Sequence, residues 1–454
     1  MESITDGYGA GKPPGSPLPA DSGPIEPTPA SGSELIAFRQ RIDRALGVAR
    51  HGDFARFWAA QSTSAIGSQF TAVALPLLAA LSLGASPMAF GVLAAAAGLP
   101  HLLFGLFAGV WVDRLRRRPV MIGADIARAI LLATIPLAAA VGALRIEFLV
   151  AVAFLVEIFT VFFDIAYLTY IPSLVSREGL IEANSRLEAS ASGAQVIGPA
   201  LGGTLVRLLG APLALVVDSL SYLVSATLIW RIRAHEALAE RTGPQMSLRA
   251  EIGQGLHAVW QSPVLRALAL SSTVMNVAGF LFLSIYVLYM TRDLGLGADA
   301  VGLVFAAGGV GALLGSVSAG PARGRWGVGR VLLGSQFLFG FFGMLVPLAV
   351  LLPDVALPLV VAAEFLQSVI VLVFSVNSVS LRQAITPDRL LGRANETMRF
   401  IVWGSRPIGS LLGGYLGSRI GLPATLVVGA FGMLIAFVPL LTSPIPRQWH
   451  LDAK

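Results

Sequence analysis

Glu157, Thr160, Asp164 and Tyr167 fall at i, i+3, i+7 and i+10, so on a helix they form one polar stripe. They interrupt a run, 146–174, built otherwise almost wholly from Ile, Phe, Leu, Val and Ala. A second apolar run, 355–381, carries Glu364, Gln367, Ser375 and Ser378 at similar spacing. Gln61, Ser64, Ser68 and Thr71 mark a third stripe, and Ser272 and Asn276 a fourth. Ionisable side chains inside apolar segments of spanning length are costly and are functional candidates by default. Glu157 lies near the middle of its run, and Glu364 holds a comparable position. A carboxyl there could carry a proton, because its neutral form crosses a desolvated state at lower cost than the ionised one. The same placement would serve a structural hydrogen bond to a neighbouring helix. Asp164 lies nearer the end of its run, where gating or packing is as good a reading as coupling.

Other charges in apolar runs read differently. Asp125 and Arg128, at i and i+3, can pair with each other. Asp218 heads a stripe with Ser221, Tyr222 and Ser225 that suits a structural role. Arg406 could pair with Glu364 or cap a cavity, and His101 suits packing with a hydrogen bond.

The elements that position these groups follow from composition. Of 454 residues, 55% are hydrophobic and only 13% charged, whereas a soluble domain is about a quarter charged. Mean hydropathy is +0.75, and lipid is the solvent this chain requires. There is no cysteine, which excludes disulfides and thiol catalysis, and the five histidines are too scattered to hold a metal. No phosphate-binding loop is present: Gly11-Lys12 is followed by Pro13 and lacks the preceding glycine. No nucleophile–base set is visible, so the reading is not an enzyme and needs no cofactor. The net charge of +6 comes from basic residues spread over many short loops, which argues against a nucleic-acid surface.

A spanning helix takes ~20 residues. Apolar runs at 54–83, 87–112, 120–141, 146–174, 190–209 and 211–231 make one set. Runs at 263–290, 298–320, 329–352, 355–381, 394–418 and 422–443 make a second. The expected fold is therefore an all-α membrane protein of twelve transmembrane helices in two six-helix halves, 54–232 and 263–443. A cytoplasmic central loop, 233–262, joins them and carries an amphipathic stretch of Leu248, Ile252, Leu256 and Val259. Residues 1–53 form an N-terminal tail. Its Gly-, Pro- and Ser-rich first 32 residues cannot bury a core, and Leu35 to Ala49 suit either a membrane-surface helix or a solvated linker helix. Residues 444–454 form the C-terminal tail. With both termini in the cytoplasm, external loops hold only Arg145, Arg207, Arg292 and Arg419 of the 32 Lys and Arg. Arg128 and Arg406 lie within spans, and all the others are cytoplasmic. That asymmetry supports both the orientation in a cell (inner) membrane and the number of spans.

The halves repeat at an ungapped offset of 211, the separation of Asn184 and Asn395. Gly91 meets Gly302, Gly98 meets Gly309, Gly109 meets Gly320, Arg114 meets Arg325 and Gly123 meets Gly334. Gly198, Gly202 and Gly203 meet Gly409, Gly413 and Gly414, while Gly210 and Pro212 meet Gly421 and Pro423. Six spans per half make the repeats parallel, related by an axis along the membrane normal.

Three motifs carry a family resemblance. The stretch Gly109-Val-Trp-Val-Asp113-Arg114-Leu-Arg116-Arg117-Arg118 resembles the loop motif of the major facilitator superfamily, with Arg116 in place of the usual glycine. In the second half Gly324 stands where Asp113 would be. The resemblance implies a loop that latches the two halves in one state, with Asp125 and Arg128 as structural support. Gly198-Pro199-Ala-Leu-Gly202-Gly203 looks like the motif of that superfamily's antiporters and implies export; close helix packing alone would also use these residues. Phe162-Phe163-Asp164, Ile171-Pro172, Glu182-Ala183-Asn184, Glu251 to Trp260 and Arg406-Pro407-Ile-Gly409 are similar to the macrolide-efflux and enterobactin-exporter branch. This similarity spans roughly residues 54–443. It implies alternating access, spans 1, 4, 7 and 10 around a central cavity, and proton-coupled export of a small molecule by a monomer. Carboxylates and apolar walls suit an amphipathic, cationic substrate. Uptake or lipid flipping on the same fold, and a non-transporting sensor, are the alternatives, and the polar stripes count against the sensor.

Overall fold

The computed structural model describes residues 52–112, 115–234, 236, 257, 259–386 and 388–445. Every described residue falls in the unit formed by residues 48–454. Expectations for the 1–32 tail, the 35–49 stretch, most of the central loop, the 446–454 tail, Asp113 and Arg114 lie outside the described residues.

Helices follow one another with short turns and no strand among the described residues. They are α1 (Gly52–Leu77, continued by a π-helical turn, Leu78–Ser82), α2 (Pro87–Val112), α3 (Arg117–Ala140), α4 (Ile146–Tyr170), α5 (Leu180–Leu209) and α6 (Ala211–Trp230). The second series is α7 (Pro263–Arg292), α8 (Ala298–Trp326), α9 (Val328–Gly343), α10 (Ala356–Ile385), α11 (Asp388–Ile420) and α12 (Leu422–Ile435). Ten of these segments are long and apolar enough to cross a membrane; α5 and α11 are more polar. Their outer faces agree: Leu137 is 66% exposed, Leu208 71% and Val317 76%, a surface suited to lipid rather than water.

Local sequence explains several boundaries. Ser262 caps α7, its hydroxyl accepting from the Leu265 amide at 3.4 Å, and Pro263 starts the helix without a missing bond. Gly210 and Gly421 join α5 to α6 and α11 to α12 at φ of +84° and +83°, a backbone conformation only glycine adopts cheaply. Two expected boundaries shift. Helix α5 begins at Leu180 and α11 at Asp388, well before their apolar runs. Hydropathy marks contact with lipid, whereas a helix continues wherever its backbone bonds do. Arg186 and Glu182 support that polar extension at 3.0 Å.

Packing obeys the repeat. Helices α1, α5 and α6 pack together, as do α7, α11 and α12; α2 and α3 flank α4 as α8 and α9 flank α10. The halves meet chiefly where α2 lies on α11 and α5 on α8. These two seams are copies of one contact. Gly91 faces Gly414 and, 211 residues on, Gly302 faces Gly203. A Cβ on Gly91 would lie 2.6 Å from the Ser410 carbonyl, and one on Gly302 2.5 Å from the Pro199 carbonyl. Glycine is required there because backbone meets backbone.

Candidate functional site

Between the halves lies a cavity of about 870 Å³. Gln61, Glu157, Asp164, Glu364 and Arg406, five of the residues singled out by the sequence, line it. Helix α4 delivers Glu157, Thr160 and Asp164 to one wall, as the stripe requires, while Tyr167 turns away to stack on Phe57 with ring centroids 5.6 Å apart. Asn276 bends back to donate to the Ser272 carbonyl at 2.8 Å, and Gln367 is buried against α9, facing Gly343. Neither joins the cavity lining. A polar residue on the expected helix still points elsewhere when its register differs by a fraction of a turn.

The cavity charges are arranged unequally. Arg406, on α11, faces Glu157 across the cavity and interacts with it electrostatically. Its aliphatic stem lies on Gly98 of α2, where a Cβ would come within 2.7 Å of Cδ, and its guanidinium is 5.9 Å from the Phe280 ring centroid. Glu364 instead faces the buried hydroxyl of Tyr286 and interacts with it. Gly308 leaves room for that carboxylate, since a Cβ there would sit 3.0 Å from Oε1.

On the α3 side, Arg128 pairs with Asp125 and is clamped between two rings, 4.3 Å from the centroids of both Phe163 and Tyr222. It also lines the cavity, so its position serves more than the loop. Asp218 is fully buried and accepts hydrogen bonds from Thr71 and from Ser221, the latter at 3.0 Å; Ser68 and Tyr222 hydroxyls meet at 3.0 Å. This hydroxyl network fastens α1 to α6, with Gly67 allowing the approach: a Cβ there would lie 2.5 Å from an Asp218 oxygen. His101 stacks on Trp403 across the halves with centroids 4.0 Å apart.

The antiporter-like glycines pack as their types suggest. A Cβ on Gly198 would lie 2.5 Å from the Gln69 side chain, and one on Gly202 would lie 3.2 Å from Phe70 Cα. Gly203 belongs to the α5–α8 seam, and Pro199 lies inside α5 and lines the cavity.

At the loop between α2 and α3, Gly109 lies in α2, and Arg117 and Arg118 open α3. Arg118 donates to the carbonyls of Ile229, at 3.2 Å, and Trp230, closing the end of α6. Sequence reasoning missed their partner, Glu236. Its carboxylate accepts from the Arg117 amide at 2.6 Å, the Arg118 amide at 3.4 Å and the Arg117 guanidinium at 3.2 Å. It therefore caps α3 from the start of the central loop, and no local spacing signals that. Arg118 thus ties α3 to α6, and Arg117 ties it to the start of the central loop. At position 116 the backbone is extended (φ −69°, ψ 126°), whereas its repeat partner Gly327 has φ +77°.

The two ends of the bundle differ. At the end bearing Arg145, Arg207, Arg292 and Arg419, Arg207 pairs with Asp299 at 2.9 Å, and Arg292 donates to the Gly84 and Ala85 carbonyls at 2.9 and 2.8 Å. The Met88 amide donates to Ser418 at 3.1 Å, the repeat copy of the Arg207–Asp299 contact. Desolvation in the adjacent turn raises the pKa of Asp293, which Arg292 opposes. Toward the other end, a Cβ on Gly105, Gly193 or Gly320 would meet open space. The halves thus touch at one end and separate toward the other.

Comparison with known proteins agrees with this architecture. The multidrug efflux pump Tap of Mycolicibacterium fortuitum is 28% identical over 400 residues, 86% of this chain and 96% of that protein. Macrolide efflux protein A of Streptococcus pyogenes is 24% identical, covering 88% of this chain and 98% of its own. A bacterial homologue of the human lysosomal transporter Spinster, solved inward-facing and occupied, superposes with a TM-score of 0.67 at 14% identity, covering 88% of this chain and 97% of that one. The family model described as transmembrane secretion effector matches residues 45–454. With these residues matched, the chain belongs to the transmembrane secretion effectors of the major facilitator superfamily and is a multi-pass membrane transporter of small molecules.

Proposed function

We propose that this transporter exports small amphipathic molecules from the cytoplasm in exchange for protons, with Glu157 as the coupling carboxylate. The observation that carries the reading is the opposition of Glu157, on a first-half helix, and Arg406, on a second-half helix, across the cavity. An ionised Glu157 attracts a fixed cation of the other half; a protonated one does not. Protonation therefore acts unequally on two states that hold these helices at different distances, which is what coupling requires. The neutral carboxyl also lowers the cost of occluding the site.

Direction rests on the names of Tap and macrolide efflux protein A. Orientation rests on the arginine asymmetry, which makes the touching end of the bundle external and the separated end cytoplasmic. On this reading all twelve helices cross the cell membrane, both termini are cytoplasmic, and the described conformation opens inward. Helices α5 and α11 tolerate more polarity because each buries a face in a seam and in the cavity.

The test is pH-gradient-driven accumulation of a macrolide in proteoliposomes holding only this protein. Wild type should accumulate it, whereas Glu157→Gln should retain exchange and lose gradient-driven accumulation. Full accumulation by Glu157→Gln would remove the assignment.

A further inference from the structure

The internal repeat supplies a built-in control for the cavity. At the repeat offset of 211, Glu157 corresponds to Ser368, Glu364 to Ala153 and Arg406 to Gln195, and all six line the cavity. The scaffold is symmetric but its charges are not. Helices α4 and α10 both run from the end where the halves touch toward the end where they separate. Each carries one acid, but Glu364 lies four residues earlier in the repeat than Glu157, about 6 Å nearer the touching end.

The two acids also have different company. Glu157 faces Arg406, and Asp164 lies within the field of Arg128. Among the described residues no guanidinium, ammonium or imidazole acts on Glu364, and Tyr286 is the ionisable group beside it. Aromatic rings cluster there. Tyr286 meets Phe305 edge-on with centroids 6.1 Å apart and Phe282 at 5.4 Å, and Phe305 lines the cavity. Gly308 keeps the space in front of the carboxylate clear.

We propose that Glu364, with Phe305, forms a subsite for the cationic head of an organic substrate at the deep end of the cavity. A carboxylate without a protein cation, in an apolar wall with ring faces nearby, is the chemistry that attracts a weakly hydrated ammonium or phosphonium group. A compact, strongly hydrated cation would have to give up too much water to enter. The proposal rests on the export reading only in taking the cavity as the substrate site; Glu157 and Glu364 then divide coupling and recognition between them.

Binding to the purified full-length protein in detergent, with no gradient, tests it. The probes are radiolabelled tetraphenylphosphonium, a permanent cation, and triphenylphosphine oxide, an uncharged analogue. Wild type should bind both. Glu364→Gln should weaken tetraphenylphosphonium by about tenfold or more and leave triphenylphosphine oxide within about twofold. Glu364→Asp should recover part of the loss. If Glu364→Gln fails to fold, judged by gel filtration, Phe305→Leu takes its place and should weaken the cation selectively. Absence of tetraphenylphosphonium binding to wild type, unchanged binding to Glu364→Gln, or equal loss of both probes would overturn the subsite. Such a result would leave gradient-driven transport by Glu157 standing. Loss of that coupling with intact, Glu364-dependent binding would sink the export reading and keep the subsite.

Discussion

Replacing Glu236 by alanine should destabilise the transporter although the residue lies outside every helix of the bundle. The carboxylate has three contacts to lose: two amides at the start of α3 and the Arg117 guanidinium. A lost N-terminal cap costs about 1 kcal/mol. The ion pair is buried, each side chain being only 7% exposed, and removing one partner of a buried pair costs about 3–5 kcal/mol when the other charge is stranded. Arg117 lies at the end of a helix, where water reaches it on small movements, so the lower part of that range applies. A total of about 4 kcal/mol follows. At roughly 2 °C per kcal/mol for a large chain, the thermal midpoint in detergent should fall by about 8 °C. The double variant Glu236→Ala/Arg117→Ala should recover part of the loss, with a coupling of about 1–3 kcal/mol. A midpoint within about 1 °C of wild type, or strict additivity of the two substitutions, would refute the capping argument.

Asp218→Ala should strand the hydroxyls of Thr71 and Ser221 and cost about 2–3 kcal/mol, while Asp218→Asn, which keeps an acceptor, should cost less; thermal unfolding in detergent compares them. Gly203→Ala would place a Cβ 2.5 Å from the Ala298 carbonyl and so should disfavour the conformation in which α5 and α8 touch. Cross-linking between cysteines at Gly84 and Arg292, in this cysteine-free chain, should fall in that variant, and undiminished cross-linking would count against the seam. A cysteine at Gly142 should react with an impermeant thiol reagent added outside cells and one at Ser176 should not; the reverse pattern would invert the proposed orientation.

Much of the candidate site was legible along the chain, because burial in lipid makes every charge conspicuous. Glu157, Asp164, Glu364 and Arg406 stand out for that reason, and all four line the cavity. Asn276 and Gln367 stood out too, but neutral amides satisfy themselves on nearby backbone, so their presence on the right helix says little about direction. Glu236 was invisible, since its partners lie 119 and 118 residues away in a loop that any acid could occupy.

The sequence by itself determined the helices, because hydropathy and 3.6-residue periodicity are local properties that the bilayer enforces. It also determined the repeat, and with it which contacts must be copies of one another, as Gly91–Gly414 and Gly302–Gly203 are. Only the tertiary structure decided that Arg406 faces Glu157 rather than Glu364, that Arg128 is clamped between Phe163 and Tyr222, and that Glu364 is left to aromatic neighbours. Pairing across a cavity depends on the rotation of each helix about its own axis. Side-chain packing across the helix seams sets that rotation, and no stretch of chain carries both sides of a seam.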